Sequence, residues 1–433
     1  MSNQSRRTPR SPNQCVPDAR RVGEWTKALL DLEALLGADR WRRRMQQLIS
    51  GAMSSPYQAK IAEDYHWVEI ELALQLDSFR QRGYISMGDV SLRTAAALDF
   101  AYGAVNLQQK LNERGRRILL GRLRDGLNNG FAGLFLEIDM AMQLAEGDYQ
   151  LRYPDFDGAG DHDLDAIRDN VSIAIECKSI SADAGRKIHR RDFYRFMDLL
   201  QPGGTPPTSV TSSVAVVVTM ADRFPADRPS QDQIASHVRE LFQAGPGTRR
   251  TGNGYNVNTE RFESVDFSTA TSNLTAATLR SRWGENSHVA GVNIEGMWNI
   301  IVVRSAREDD SSREALAARK KAVKQLPVDR PGIIALQYEE IAVQDLQKPA
   351  FRRRLAILDA AIYQDKRAAH VAGIYHCAFD GRWLHAGQLG KPAVATWRSR
   401  QHGALMGEAL GASLNDLQFT RLLSPFERTD GGF

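Results

Sequence analysis

Long apolar runs are missing from this chain of 433 residues. None approaches the ~18 to 20 consecutive apolar residues that cross a bilayer, so a membrane-spanning function is not expected. Cysteine is scarce. Cys15, Cys177 and Cys377 are odd in number, far apart and in no Cys-x-x-Cys pair, which argues against a disulfide framework and a zinc knuckle and for reduced thiols. No Gly-x-Ser-x-Gly elbow occurs, which leaves a serine hydrolase without support. The Gly-rich "GPGTRRTGNG" lacks the Lys-Ser/Thr ending of a phosphate-cradling loop and reads as a flexible loop. His370, His376 and His385 lack the spacing and the paired carboxylate of a zinc site. An excess of one charge is absent too: the net charge is +4, so the whole chain is not a polycation.

What is present is a mixed α/β pattern. Residues 1–21 are polar, basic and Pro-containing with no apolar segment; they read as a disordered tail, and a cytoplasmic location is expected. From 22 to 128 apolar residues recur at three- and four-residue spacing, as in Trp25, Leu29, Leu32 and Leu36, which predicts a helical domain. It carries basic clusters: Arg42, Arg43 and Arg44, then Arg114, Arg116, Arg117, Arg122 and Arg124. On helices such clusters are solvated faces or nucleic-acid contacts.

"FAGLFLEIDMAMQLAEGD" predicts a helix that is apolar nearly all round, and "YQLRYP" a short strand. "SSVAVVVTM", "WNIIVVRS", "PGIIALQ" and "HVAGIYHCAF" are core strands by their continuous apolar character. "QDQIASHVRELFQAG" and "DLQKPAFRRRLAILDAAIYQ" are helices, and 243–275, rich in Gly, Asn, Thr and Ser, is a long surface excursion. Residues 129–433 therefore read as one α/β domain with a C-terminal extension.

The chemistry gathers in "DHDLDAIRDNVSIAIECKSI" (161–180). "DLDAI" and "VSIAIECK" form an antiparallel hairpin turning near Asp169-Asn170. A two-residue turn sets Asp163 opposite Glu176 and Asp165 opposite Ala174; a longer loop would slip the register by two without changing the faces. Leu164, Ala166, Val171, Ile173, Ile175 and Cys177 then share an apolar face. Asp163, Asp165, Glu176 and Lys178 share the other. Carboxylates that close repel unless a cation lies between them, and oxygen ligands suit Mg²⁺ or Mn²⁺.

Together "YPD", "DHDLDAI" and "IECK" resemble the PD-(D/E)xK nuclease superfamily over roughly 130–220. The combination carries the likeness, because an acidic-x-Lys triplet alone is common; Lys178 is the sole lysine here with an acid two places before it. The resemblance implies a restriction-endonuclease-like mixed sheet flanked by helices. It implies Glu176 and Lys178 as the Glu-x-Lys pair, Asp163 as the hairpin acid, and Glu137 as the helical acid. Asp163, Glu176 and Glu137 would bind Mg²⁺ or Mn²⁺, and Lys178 would orient the attacking water. Pro154-Asp155 is a rival for the Asp163 role. Asp165 and His189 are additional candidates. Lys187, Arg191 and Arg195, with Arg190 beside them, are expected on one helix to track a nucleic-acid backbone. The function implied is a metal-dependent endonuclease, acting on double-stranded DNA in bacterial defence or repair, alone, as a homodimer or with a partner protein. The alternative is a nucleic-acid-binding or assembly protein of the same fold that does not cleave.

Overall fold

The computed structural model describes residues 19–85, 92–181, 183–200, 213–261, 282–284, 286–294, 297–339, 346, 349–379 and 393–398. The N-terminal tail up to residue 18 and most of the last fifty residues lie outside them. So does 262–275, the later part of the expected surface excursion. Contacts divide the chain into two compact units, 1–45 with 65–182 and 315–433, and 46–64 with 183–314. This partition cuts the chain elsewhere than the expected boundaries after residues 21 and 128. Both units are α/β.

In the first unit, helices α1 (Ala19–Leu36), α4 (Trp67–Arg82), α5 (Leu92–Lys110), α6 (Glu113–Asn129) and α7 (Ala132–Glu146) carry the helical periodicity. Helix α2 (Ala38–Ser54) is shared by the partition, and α3 (Pro56–Tyr65) belongs almost wholly to the second unit. Trp25, Leu29, Leu32 and Leu36 are all buried on one face of α1, as their spacing predicts. Helix α6 starts where the Asn112 side chain accepts from the Gly115 amide, satisfying one of the amides a helix leaves unpaired.

The first unit's sheet has six strands. β1 (Gln150–Arg152), β2 (Leu164–Arg168) and β3 (Val171–Ile180) form an antiparallel meander. β9 (Gly332–Glu339) runs parallel to β3, β10 (Val371–Phe379) parallel to β9, and β11 (Ala393–Trp397) antiparallel to β10. β3 is thus an interior strand, and Ile173 through Cys177 are buried. Between β3 and β9 the chain leaves for the second unit and returns through α11 (Ser311–Gln325); α12 (Pro349–Tyr363) connects β9 to β10.

The second unit's sheet has the order β5-β6-β4-β8-β7, from β4 (Val214–Met220), β5 (Arg249–Gly252), β6 (Tyr255–Arg261), β7 (His288–Ile294) and β8 (Met297–Ser305). Val214, Val216 and Val218 pack with Phe193, Phe196, Ile234 and Val238 from α9 (Arg190–Leu200) and α10 (Arg228–Ala244). Two expectations need correction. The resemblance was drawn over roughly 130–220, including the strand at 214–220; that strand lies in the second sheet, and β9, from outside that range, pairs with the Glu-x-Lys strand β3. Part of the expected surface excursion, 249–261, is a β-hairpin turning at Asn253-Gly254.

Among the described residues no helix is long and apolar enough to cross a membrane.

Candidate functional site

The β2–β3 register is the two-residue one: Leu164 faces Ile175, Asp165 faces Ala174 and Ala166 faces Ile173. The turn works because Asp169 (φ 53) and Asn170 (φ 63) both take the left-handed conformation that a tight hairpin needs and that these two residue types tolerate. β2 begins one residue after Asp163. At that point the Cys177 amide donates to Asp163 Oδ2 at 2.7 Å, so a side chain continues the ladder where the strand has ended. This bond pins Asp163 beside Glu176.

Glu176 is fully buried. Its neighbour across β9 is Ile334, which offers no polar group. Its Oε1 accepts from Lys178 Nζ in a close contact, while its Oε2 is buried with no hydrogen-bond partner. An orphaned carboxylate oxygen in a dry interior is costly. Burial first, then the charge of Asp163, push the Glu176 pKa well up; Lys178 pulls it part of the way back. Asp163 is raised too, by burial, against the Cys177 amide and the charges of Lys178 and Arg122. The Cys177 thiol is raised by burial and the three acids around it, which keeps it an unreactive thiol.

Glu137 comes from α7, which packs on β3. The helix buries Leu134, Phe135, Leu136, Ile138, Met140, Ala141 and Leu144, so little of its circumference is left polar. Glu137 lies on that remainder. Asp139 faces elsewhere and accepts from Gln143, as the two-residue offset requires. Burial and then Asp163 raise the Glu137 pKa, and Arg122 opposes them. Arg122 Nη1 donates to Glu137 Oε2 at 2.7 Å, and its Nη2 closely contacts Asp155 Oδ2. Asp155, the rival named for the Asp163 role, sits on the one-turn helix α8 (Pro154–Asp157). Sequence reasoning missed Arg122, which was one arginine among five in a basic cluster.

The structure therefore brings Asp163, Glu176, Lys178 and Glu137 into one electrostatic cluster, with Arg122 and Asp155 added. Asp165 is engaged elsewhere. It pairs with His162 Nε2 at 2.9 Å and with the Arg330 guanidinium, and these partners outweigh its burial and hold its carboxyl below the usual range. His189 belongs to the second unit, half-exposed and 3.8 Å from Asp192. The expected basic stripe is also in that unit and is altered. Lys187 precedes α9 and pairs with Asp222 at 3.0 Å, so it does not share a helical face with Arg191 and Arg195. The Arg190 backbone amide is bound by Asp183, and Arg195 lies 3.7 Å from Asp192.

Among the described residues no three His, Cys, Asp or Glu side chains stand ready as a metal cage. The donor set nevertheless suits a hard divalent ion. It is all oxygen, one oxygen is orphaned, and the acids Glu137, Asp155, Asp163 and Glu176 outnumber the bases Arg122 and Lys178. Comparisons with family models, curated proteins and solved structures found no match.

Proposed function

We propose that the chain is a Mg²⁺- or Mn²⁺-dependent phosphodiesterase on a restriction-endonuclease-like core, cutting double-stranded DNA endonucleolytically. The observation that carries this reading is the Asp163–Glu176 pair, Asp163 tied to the Cys177 amide and Glu176 buried on β3, with Lys178 two residues on and one buried oxygen left without a partner. The order helix acid, hairpin acid, Glu-x-Lys supports it further. Asp163 and Glu176 would hold the ion, with Glu137 as the third acid. Such an ion lowers the pKa of water and offsets charge on a phosphoryl group. Asp163 is fixed through Oδ2 by the Cys177 amide. Lys178 can donate to an attacking water or to an oxygen gaining negative charge, because its ammonium is held beside Glu176 rather than free in solvent. Arg190, Arg191 and Arg195, in the second unit, are the candidate contacts to a nucleic-acid backbone, Arg195 moderated by Asp192. A cytoplasmic place in defence or repair, and action as a homodimer or with a partner protein, belong to the proposal by resemblance alone.

The test is incubation of the full chain with plasmid, linear DNA and RNA in Mg²⁺, Mn²⁺ or EDTA. Metal-dependent cutting that Lys178→Ala abolishes is expected. One observation favours the other reading, a binding or assembly protein that does not cleave: three acids are not assembled for a metal among the described residues. DNA binding that survives EDTA and Lys178→Ala, with no cutting under any condition, would establish that alternative.

A further inference from the structure

The Arg122 guanidinium occupies a position that a cation contested by several acids would take. Its two terminal nitrogens reach two carboxylates from different elements, Glu137 on α7 and Asp155 on α8. It also lies over the Phe156 ring, 4.8 Å from the centroid, which restricts the plane of the fork. A rigid fork fixed on a ring and a carboxylate holds Glu137 in a definite direction. Arg122 is 34% exposed and Glu137 16%, so a hydrated ion can reach the bond between them.

Resting on the metal-dependent reading above, we infer that Arg122 is a positioning residue that competes with a divalent ion for Glu137. While the guanidinium holds Glu137 Oε2, Asp163 and Glu176 form a two-acid site. When an ion binds, Glu137 is released from Arg122 to become the third acid, and Asp155 retains the guanidinium. In this arrangement Asp155 is the keeper of Arg122 and not a metal ligand. The inference accounts for two observations together: a cluster in which four acids face two basic side chains, and the absence of three converging acids among the described residues.

The experiment is calorimetric titration of Mn²⁺ and Mg²⁺ into the full chain without nucleic acid, so that the readout is binding and not cutting. Arg122→Gln should bind the ion roughly tenfold more tightly, the scale of one charge-assisted hydrogen bond removed from a competitor. Asp155→Asn alone should weaken binding, because the guanidinium then rests wholly on Glu137. The same change made on top of Arg122→Gln should weaken binding less, leaving only the loss of the Asp155 charge felt by Glu137 and Asp163. Arg124→Gln controls for charge alone: Arg124 is exposed on α6, two residues on and facing away, and its loss should leave affinity unchanged. If Arg122→Gln does not fold, Arg122→Lys keeps the charge without the fork and should tighten binding by a smaller factor.

Equal or weaker binding by Arg122→Gln, or by Arg122→Lys if that is the variant used, overturns the inference while wild-type binding leaves the nuclease reading standing. So does tightening of the same size in Arg124→Gln, or an Asp155→Asn effect that is undiminished without Arg122. Absence of binding in every protein, wild type included, overturns both.

Discussion

Replacing Glu176 by Gln should stabilise the metal-free chain at alkaline pH, the reverse of what most substitutions do. Glu176 is fully buried beside Asp163, and one of its oxygens has no partner. Burial and that neighbour raise its pKa from an ordinary 4.5 to about 8. Between those values the folded chain keeps a proton that the unfolded chain has released. Stability therefore falls as pH rises through this window and levels off above it. Gln has the shape and charge of the protonated acid and escapes the loss. At about 1.36 kcal/mol per tenfold, the full loss would be several kcal/mol; because Asp163 and Glu137 share the burden, a gain on the order of 2 kcal/mol at pH 9 is expected. An ordinary substitution costs about 1 kcal/mol, so the sign alone discriminates. Urea unfolding in EDTA at pH 5 and pH 9 measures it. The variant should match wild type at pH 5 and exceed it at pH 9. A variant less stable at pH 9, or a difference independent of pH, would refute the reasoning.

Mg²⁺ or Mn²⁺ should raise the thermal midpoint more at pH 8.5 than at pH 6, because binding must expel protons from acids whose pKa values are raised; equal shifts at both would contradict this. Asp359→Ala should cost about 3 to 5 kcal/mol in chemical denaturation, since it strands Arg319, fully buried and 2.9 Å from Asp359, along with His376 and Thr396; a loss under ~1 kcal/mol would count against that network. Asn170→Gly should stabilise by up to ~1 kcal/mol and Asn170→Val should destabilise, because φ is 63 there; circular-dichroism melts report the order, and a reversed order would count against the turn geometry. Lys178→Ala should lose cutting yet keep DNA affinity in a gel-shift assay, and parallel loss of both would deny Lys178 a chemical role.

The hairpin was legible because its information is local. Alternation of Leu164, Ala166, Ile173 and Ile175 against Asp163, Asp165 and Glu176 fixes the faces, and the two-residue turn at Asp169-Asn170 selects the register the structure has. Helix α7 was legible from its nearly continuous apolar surface. The strand beside β3 was not. β4 and β9 are both unbroken apolar runs, and nothing in such a run says which distant strand it will pair with. The Asn253-Gly254 hairpin was hidden by reading its surroundings as composition, although Asn-Gly is a strong turn signal. Arg122 was hidden because a cluster of arginines on one helix does not reveal which of them turns toward acids on another element. The same limit concealed the buried Arg319–Asp359–His376 network, whose members come from α11, α12 and β10.

The most direct test of the central claim is an anomalous-diffraction map of crystals of the full chain soaked in Mn²⁺. The account predicts a manganese peak bonded to carboxylate oxygens of both Asp163 and Glu176, lost in Glu176→Gln. Manganese bound elsewhere, or no peak there in protein that cuts DNA only with the metal, would contradict it.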